Sequence, residues 1–97
     1  MARLVIDERQ RIGEFTIVAK VWAFSPSYKY PDGIRYRLSL LLKGKRIFGM
    51  DFHPSEGHHK NYRENKRTEC IFISIEETMA EFRREARAIM DSIGEYK

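Results

Sequence analysis

An α+β domain, a mostly antiparallel sheet of about five strands with one face covered by a C-terminal helix, is what three features of the sequence predict. Residues 15–24 alternate apolar and mixed positions at period two. Residues 34–53 hold two further alternating runs joined by Lys43-Gly44-Lys45. Residues 75–93 carry an apolar stripe at helical spacing. Ninety-seven residues, 1–97, are enough for one such domain and too few for two independent cores.

Each element follows from its own pattern. Arg3 to Arg9 alternates imperfectly, Leu4 and Ile6 against Arg3, Val5 and Asp7, and reads as an edge strand ending in a turn at Gly13. From Phe15 to Phe24, the residues Phe15, Ile17, Ala19, Val21 and Ala23 make one uninterrupted apolar face, as expected of a strand inside a sheet covered on one side. Residues 25–33 form a loop, because Pro26 and Pro31 cannot donate ladder hydrogen bonds and Pro31-Asp32-Gly33 is a turn sequence. In it Tyr28 and Tyr30 flank Lys29, a grouping that suits base stacking and equally suits a lid over the protein's own surface.

Ile34 to Leu42 places Arg35 and Arg37 on one face and Tyr36, Leu38 and Leu40 on the other. Arg46 to His53 returns as its hairpin partner, with Gly49, Asp51 and His53 sharing a face. Gly49 leaves an open patch there for a ligand or a neighbouring backbone. Asp51 to Arg63 reads as a polar loop, and Thr68 to Ile73 as a short apolar strand containing Cys70. Ser74 with Glu77 makes a capping box that opens the helix. Its stripe is Ile75, Met79, Phe82, Ala86, Ile89 and Ile93, and Gly94 stops it.

Composition narrows the function classes. The single Cys70 excludes an internal disulfide, and no apolar run approaches the ~20 residues of a membrane span, so a soluble, cytoplasmic protein away from membranes is expected. Abundant Glu and Arg beside one Gln and two Asn suits a thermophile. The net charge of +4 is unevenly placed: residues 28–67 carry +6 and the remainder −2. Concentrated positive charge favours an anionic partner, either nucleic acid or an acidic protein.

All three histidines fall in the segment D-F-H-P-S-E-G-H-H-K-N-Y-R, residues 51–63. Three readings compete. In the first, His59 or His58 transfers protons in metal-independent cleavage of RNA. Lys60, Arg37 and Arg63 supply positive charge to the phosphorane, and Asp51 orients an imidazole. In the second, Asp51, His53 and one of His58 or His59 bind a transition metal, although the spacing matches no established metal pattern. In the third, the basic face only docks a partner. No phosphate-binding glycine loop, dinucleotide fingerprint or nucleophile elbow occurs, and no cofactor is implied.

The run G-I-R-Y-R-L-S-L-L-L-K-G-K-R-I-F-G-M-D, then G-H-H-K, then a short strand and S-I-E-E opening a final helix, resembles the TumE-like toxins of prokaryotic type II toxin–antitoxin modules. The resemblance implies a toxin held in check by a helix-turn-helix antitoxin that binds the basic face and buries the histidine segment. Arg37, Asp51, His59 and Lys60 match the family's polar positions, with His58 beside them. Arg35, Arg63, Tyr62 and Lys29 are the expected nucleic-acid contacts. Members commonly read H-[R/K]-H where this chain reads His59-Lys60-Asn61, so a second histidine is missing and His58 is the residue left to replace it. The alternative is a non-catalytic module that docks the antitoxin or nucleic acid. A homodimer through exposed edge strands is compatible with either reading.

Overall fold

The computed structural model describes residues 2–62 and 66–94. They form six strands, β1 (Arg3–Ile12), β2 (Phe15–Ala23), β3 (Ile34–Leu42), β4 (Lys45–His53), β5 (Gly57–Tyr62) and β6 (Lys66–Glu69), followed by the helix α1 (Ile75–Ile93). The strands lie side by side in chain order, and every neighbouring pair is antiparallel. The α+β class is as expected, with six strands in place of five.

The additional strand is β5, drawn from the segment whose polarity suggested a loop. The last strand also lies earlier than the apolar run implied. β6 ends at Glu69, while Cys70–Ile73 is irregular, with Phe72 turned against the sheet and Ile71 and Ile73 exposed. Hydrophobicity misplaced this element because Cys70 and Phe72 pack against the core instead of extending the sheet.

Tight turns fix most of the registers. The β3–β4 hairpin turns at Lys43-Gly44, both in the left-handed region (φ 52° and 83°), which costs Gly44 little because it has no Cβ. In β4 the pairing slips between Leu40↔Phe48 and Leu41↔Arg46, leaving Ile47 as the extra residue of a bulge. Ile47 is buried with the core, and Arg46 is delivered to the opposite face.

One face of the sheet is apolar. Phe15, Ala19 and Val21 of β2, Tyr36, Leu38 and Leu40 of β3, and Phe48, Met50 and Phe52 of β4 are all buried there. α1 lies over β3 and β4 and packs Met79, Phe82, Ala86 and Met90 onto them. The rings of Phe82 and Phe48 stack with centroids 5.6 Å apart and planes within 8°. The helix is closed at both ends. The Ser74 hydroxyl accepts from the Glu77 amide at 3.1 Å, and the Gly94 amide donates to the Met90 carbonyl at 2.8 Å. Ser74→Ala removes that acceptor from the first helical turn and is expected to lower stability by about 1 kcal/mol in urea unfolding.

Candidate active site on the open face

The opposite face of the sheet is built by register. Lys20, Arg37, Asp51, His59 and Glu69 stand in one row from β2 to β6, and Val18, Ser39, Gly49, Asn61 and Arg67 in the next. Strand alternation therefore places His59 and Asn61 on this face, and His58, Lys60 and Tyr62 on the helix side. A cleft of about 240 Å³ opens over the first row, lined by Arg35, Arg37, Asp51, His53, Glu56, His59 and Arg67.

His59 forms the buried wall of the cleft, with 4% of its surface exposed. Its Nδ1 lies 3.3 Å from the Gly57 carbonyl, which can only accept, so Nδ1 carries the proton. Nε2 then presents its lone pair to the cleft, 3.4 Å from an Arg67 guanidinium nitrogen and 3.8 Å from Asp51 Oδ2. Arg67 is also ion-paired with Glu56. An imidazole whose tautomer is set by a backbone carbonyl, with its basic nitrogen between Arg67 and the carboxylates of Asp51 and Glu56 (Glu56 Oε2 at 3.9 Å), is equipped to take a proton from a substrate hydroxyl.

Asp51 stands beside that imidazole, 3.8 Å from Nε2 and beyond hydrogen-bonding distance. Its carboxylate accepts from Arg46 Nη2 at 2.9 Å, Arg46 Nη1 at 3.2 Å and Asn61 Nδ2 at 2.8 Å. Arg46 also donates from Nε to the Ser39 hydroxyl at 2.9 Å and from Nη2 to the Leu38 carbonyl at 3.0 Å. To reach Asp51, the arginine lies across Gly49, where a Cβ would sit 1.9 Å from Nη2. The patch that Gly49 leaves open is thus filled by the strand's own Arg46. Sequence reading passed over Arg46, and the available signal was a glycine at the one position between it and Asp51 where any side chain would obstruct it.

His58 and Lys60 are committed on the helix side. His58 Nε2 donates to Asp32 Oδ2 at 3.0 Å, and its Nδ1 lies 2.9 Å from the Tyr36 hydroxyl. Its ring packs between Phe52 and Phe72, at 4.7 and 4.6 Å. The imidazole thereby pins the 25–33 loop to the sheet, and it cannot replace a second histidine beside His59. Lys60 lies between Glu81 and Glu85 of α1, and Tyr62 donates to Glu85 Oε1 at 2.9 Å. Desolvation works against the Lys60 ammonium, but the hydrogen bonds and charges of the two glutamates outweigh it and raise its pKa.

Lys60→Met leaves two partly buried carboxylates facing each other. The expected loss is about 2 kcal/mol, between the values for exposed and fully buried pairs. Burial raises the pKa of Tyr36; burial, then the hydrogen bond to Glu85, raises that of Tyr62; burial raises that of Cys70. A group whose folded pKa is raised holds its proton after the unfolded chain has lost it. These contributions are complete at neutral pH and are lost as pH rises. Urea midpoints should therefore stay level up to about pH 9 and fall above it, Cys70 acting first and Tyr36, Tyr62 and Lys60 from about pH 10. Lys60→Met should remove part of that slope.

Of the remaining expected contacts, Arg35 and His53 lie at the cleft and the others are dispersed. Arg35 is exposed and sits over Trp22, 5.6 Å from the ring centroid. His53 lines the cleft, with its Nδ1 2.8 Å from the Ser55 hydroxyl. Tyr62 is occupied by Glu85 and by Phe48, whose ring is 5.2 Å away. Tyr30 folds onto Phe24 at 3.9 Å, while Tyr28 stays fully exposed beside Lys29. Arg63 lies outside the described residues. Among the described residues no three His, Cys, Asp or Glu side chains are grouped to hold a metal ion, and no helix is long and apolar enough to cross a membrane.

Compared with known families, residues 3–90 match the family described as Toxin TumE, which takes in nearly the whole chain. No curated protein matches the chain, and neither does any solved structure.

Proposed function

This chain belongs to the TumE toxin family, and from that premise we propose that it is the ribonuclease toxin of a type II toxin–antitoxin pair, acting from the open face and checked by a helix-turn-helix antitoxin. The observation that carries the reading is His59: a buried imidazole with Nδ1 fixed by the Gly57 carbonyl and Nε2 turned into a cleft rimmed by Arg35, Arg37 and Arg67.

In the proposed reaction His59 Nε2 takes the proton of a ribose 2′-hydroxyl. The oxygen attacks phosphorus, the bond to the 5′ oxygen breaks, and a 2′,3′-cyclic phosphate forms. Arg37 and Arg67 balance the charge of the phosphorane, with Arg67 exchanging Glu56 for the phosphate. His53, the other imidazole lining the cleft, returns a proton to the leaving 5′ oxygen. Arg46 and Asp51 transfer no proton; they hold the strand row on which Arg37 and His59 stand, with Asp51 3.8 Å from His59 Nε2.

A second reading has an observation of its own. His59 is closed over by the Arg67–Glu56 pair, and Asn61 fills the position of the family's second histidine and donates to Asp51. A site so covered suits a module that docks its antitoxin or nucleic acid through the basic face without chemistry. Induced expression of wild type beside His59→Ala, scoring growth and RNA integrity, separates the two. Growth arrest with RNA decay only in the wild type supports the enzyme, and equal, harmless growth of both supports the module.

A further inference from the structure

The sheet is wider than the layer that covers it. Six strands about 4.8 Å apart span roughly 24 Å, whereas a helix with its side chains covers about 10 Å. α1 sits over β3 and β4, and Lys60, Tyr62 and Phe72 close the β5 side. The corresponding place over β1 is left open: most of that strand is exposed, whereas Phe15, Ala19 and Val21 of β2 are buried. What remains is a groove of about 530 Å³ between β1 and α1.

Its floor is apolar, formed by Ile12 and Ile17 of the sheet with Phe82 and Met90 of the helix. Arg83 and Arg87 of the helix stand along its rim, opposite Glu8 and Gln10 of β1; Arg9 pairs with Val18 and so belongs to the open face. The only lining carboxylate is Glu8, 3.6 Å from Arg83, which leaves the rim net positive. The helical wall runs from Met79 to Met90, about 16 Å at 1.5 Å per residue, the length of three turns of helix. A second helix set about 10 Å from α1 would complete the layer in the ordinary manner of helix pairs.

The geometry points to this groove as the seat of an amphipathic, acidic helix of the cognate antitoxin, apolar residues on Ile17 and Phe82 and carboxylates against Arg83 and Arg87. A second copy of the chain fits poorly, because a two-fold contact would set the arginine rim against itself. The identity of the partner rests on the toxin assignment. The groove lies on the face of the sheet away from His59, so docking and chemistry are separable by mutation.

The test is calorimetric titration of the toxin with its purified cognate antitoxin, with hydrogen exchange of the toxin in both states. Exchange should slow in residues 8–19 and 79–90. Arg83→Glu with Arg87→Glu, at exposed helix positions, should weaken binding at least about tenfold and reduce its salt dependence. In cells that variant should remain toxic and escape neutralisation, whereas His59→Ala should bind the antitoxin as tightly as wild type. Protection confined to the open face, unchanged affinity of the double variant, or a free toxin dimer with the groove already protected would each overturn the proposal. Because binding and exchange are read without reference to toxicity, failure of the ribonuclease reading would appear separately, as indifference to His59→Ala.

Discussion

With His59 replaced by alanine, cleavage of single-stranded RNA is expected to fall by roughly 10²–10⁴-fold, the usual contribution of a positioned general base. His58→Gln should leave the rate within a few-fold of wild type once folding is confirmed by circular dichroism. The contrast is informative because the two residues are adjacent and chemically identical. One has Nε2 in the cleft and the other has Nε2 on Asp32, beneath the loop that follows β2. A loss of similar size in both would mean that the rate reports general integrity of the sheet and not a base at His59.

The second large effect concerns stability. Gly49→Ala adds a methyl group 1.9 Å from the Arg46 guanidinium. A guanidinium is the far end of a flexible chain and can swing away, so the collision itself is cheap. The cost lies in what it abandons: the Ser39 hydroxyl, the Leu38 carbonyl, and a carboxylate with only 13% of its side-chain surface exposed. An expected loss of about 3 kcal/mol follows, close to that of breaking a buried ion pair. Arg46→Ala should cost a similar amount for the same reason. In the double variant the methyl has no guanidinium left to displace, so the combined loss should fall well short of the sum in urea unfolding. Full additivity would show that Gly49 is needed for something other than passage of Arg46.

Where one side of a strand is apolar, its identity and facing were legible in the sequence. Phe15 to Val21, Tyr36 to Leu40 and Phe48 to Phe52 all point where their period places them, and Ser74 and Gly94 close the helix. β5 was not legible for a physical reason. On one face His59 lines the cleft and Asn61 donates to Asp51, and on the other His58, Lys60 and Tyr62 are polar groups satisfied by Tyr36, Asp32, Glu81 and Glu85. With polar residues on both sides no alternation remains, and G-H-H-K-N-Y looks like a loop. Within the site, Arg37, Asp51 and His59 stand in one row because β3, β4 and β5 pair in that register. The partners of Asp51 were not foreseen, because Arg46 reaches it only through a bulge that shifts the pairing by one residue.

The opposite facing of His58 and His59 makes the length of a turn a determinant of chemistry. Between His53 and Gly57 the chain has three residues, Pro54, Ser55 and Glu56, and their number sets the phase of β5 against β4. In a strand, a shift of one residue reverses every side chain. Inserting or deleting one residue in that turn, with no functional group changed, would carry His58 into the cleft, turn His59 beneath the core side, and swing Lys60 away from its two glutamates. Homologues that keep this arrangement should therefore vary freely in the composition of the turn and hardly at all in its length.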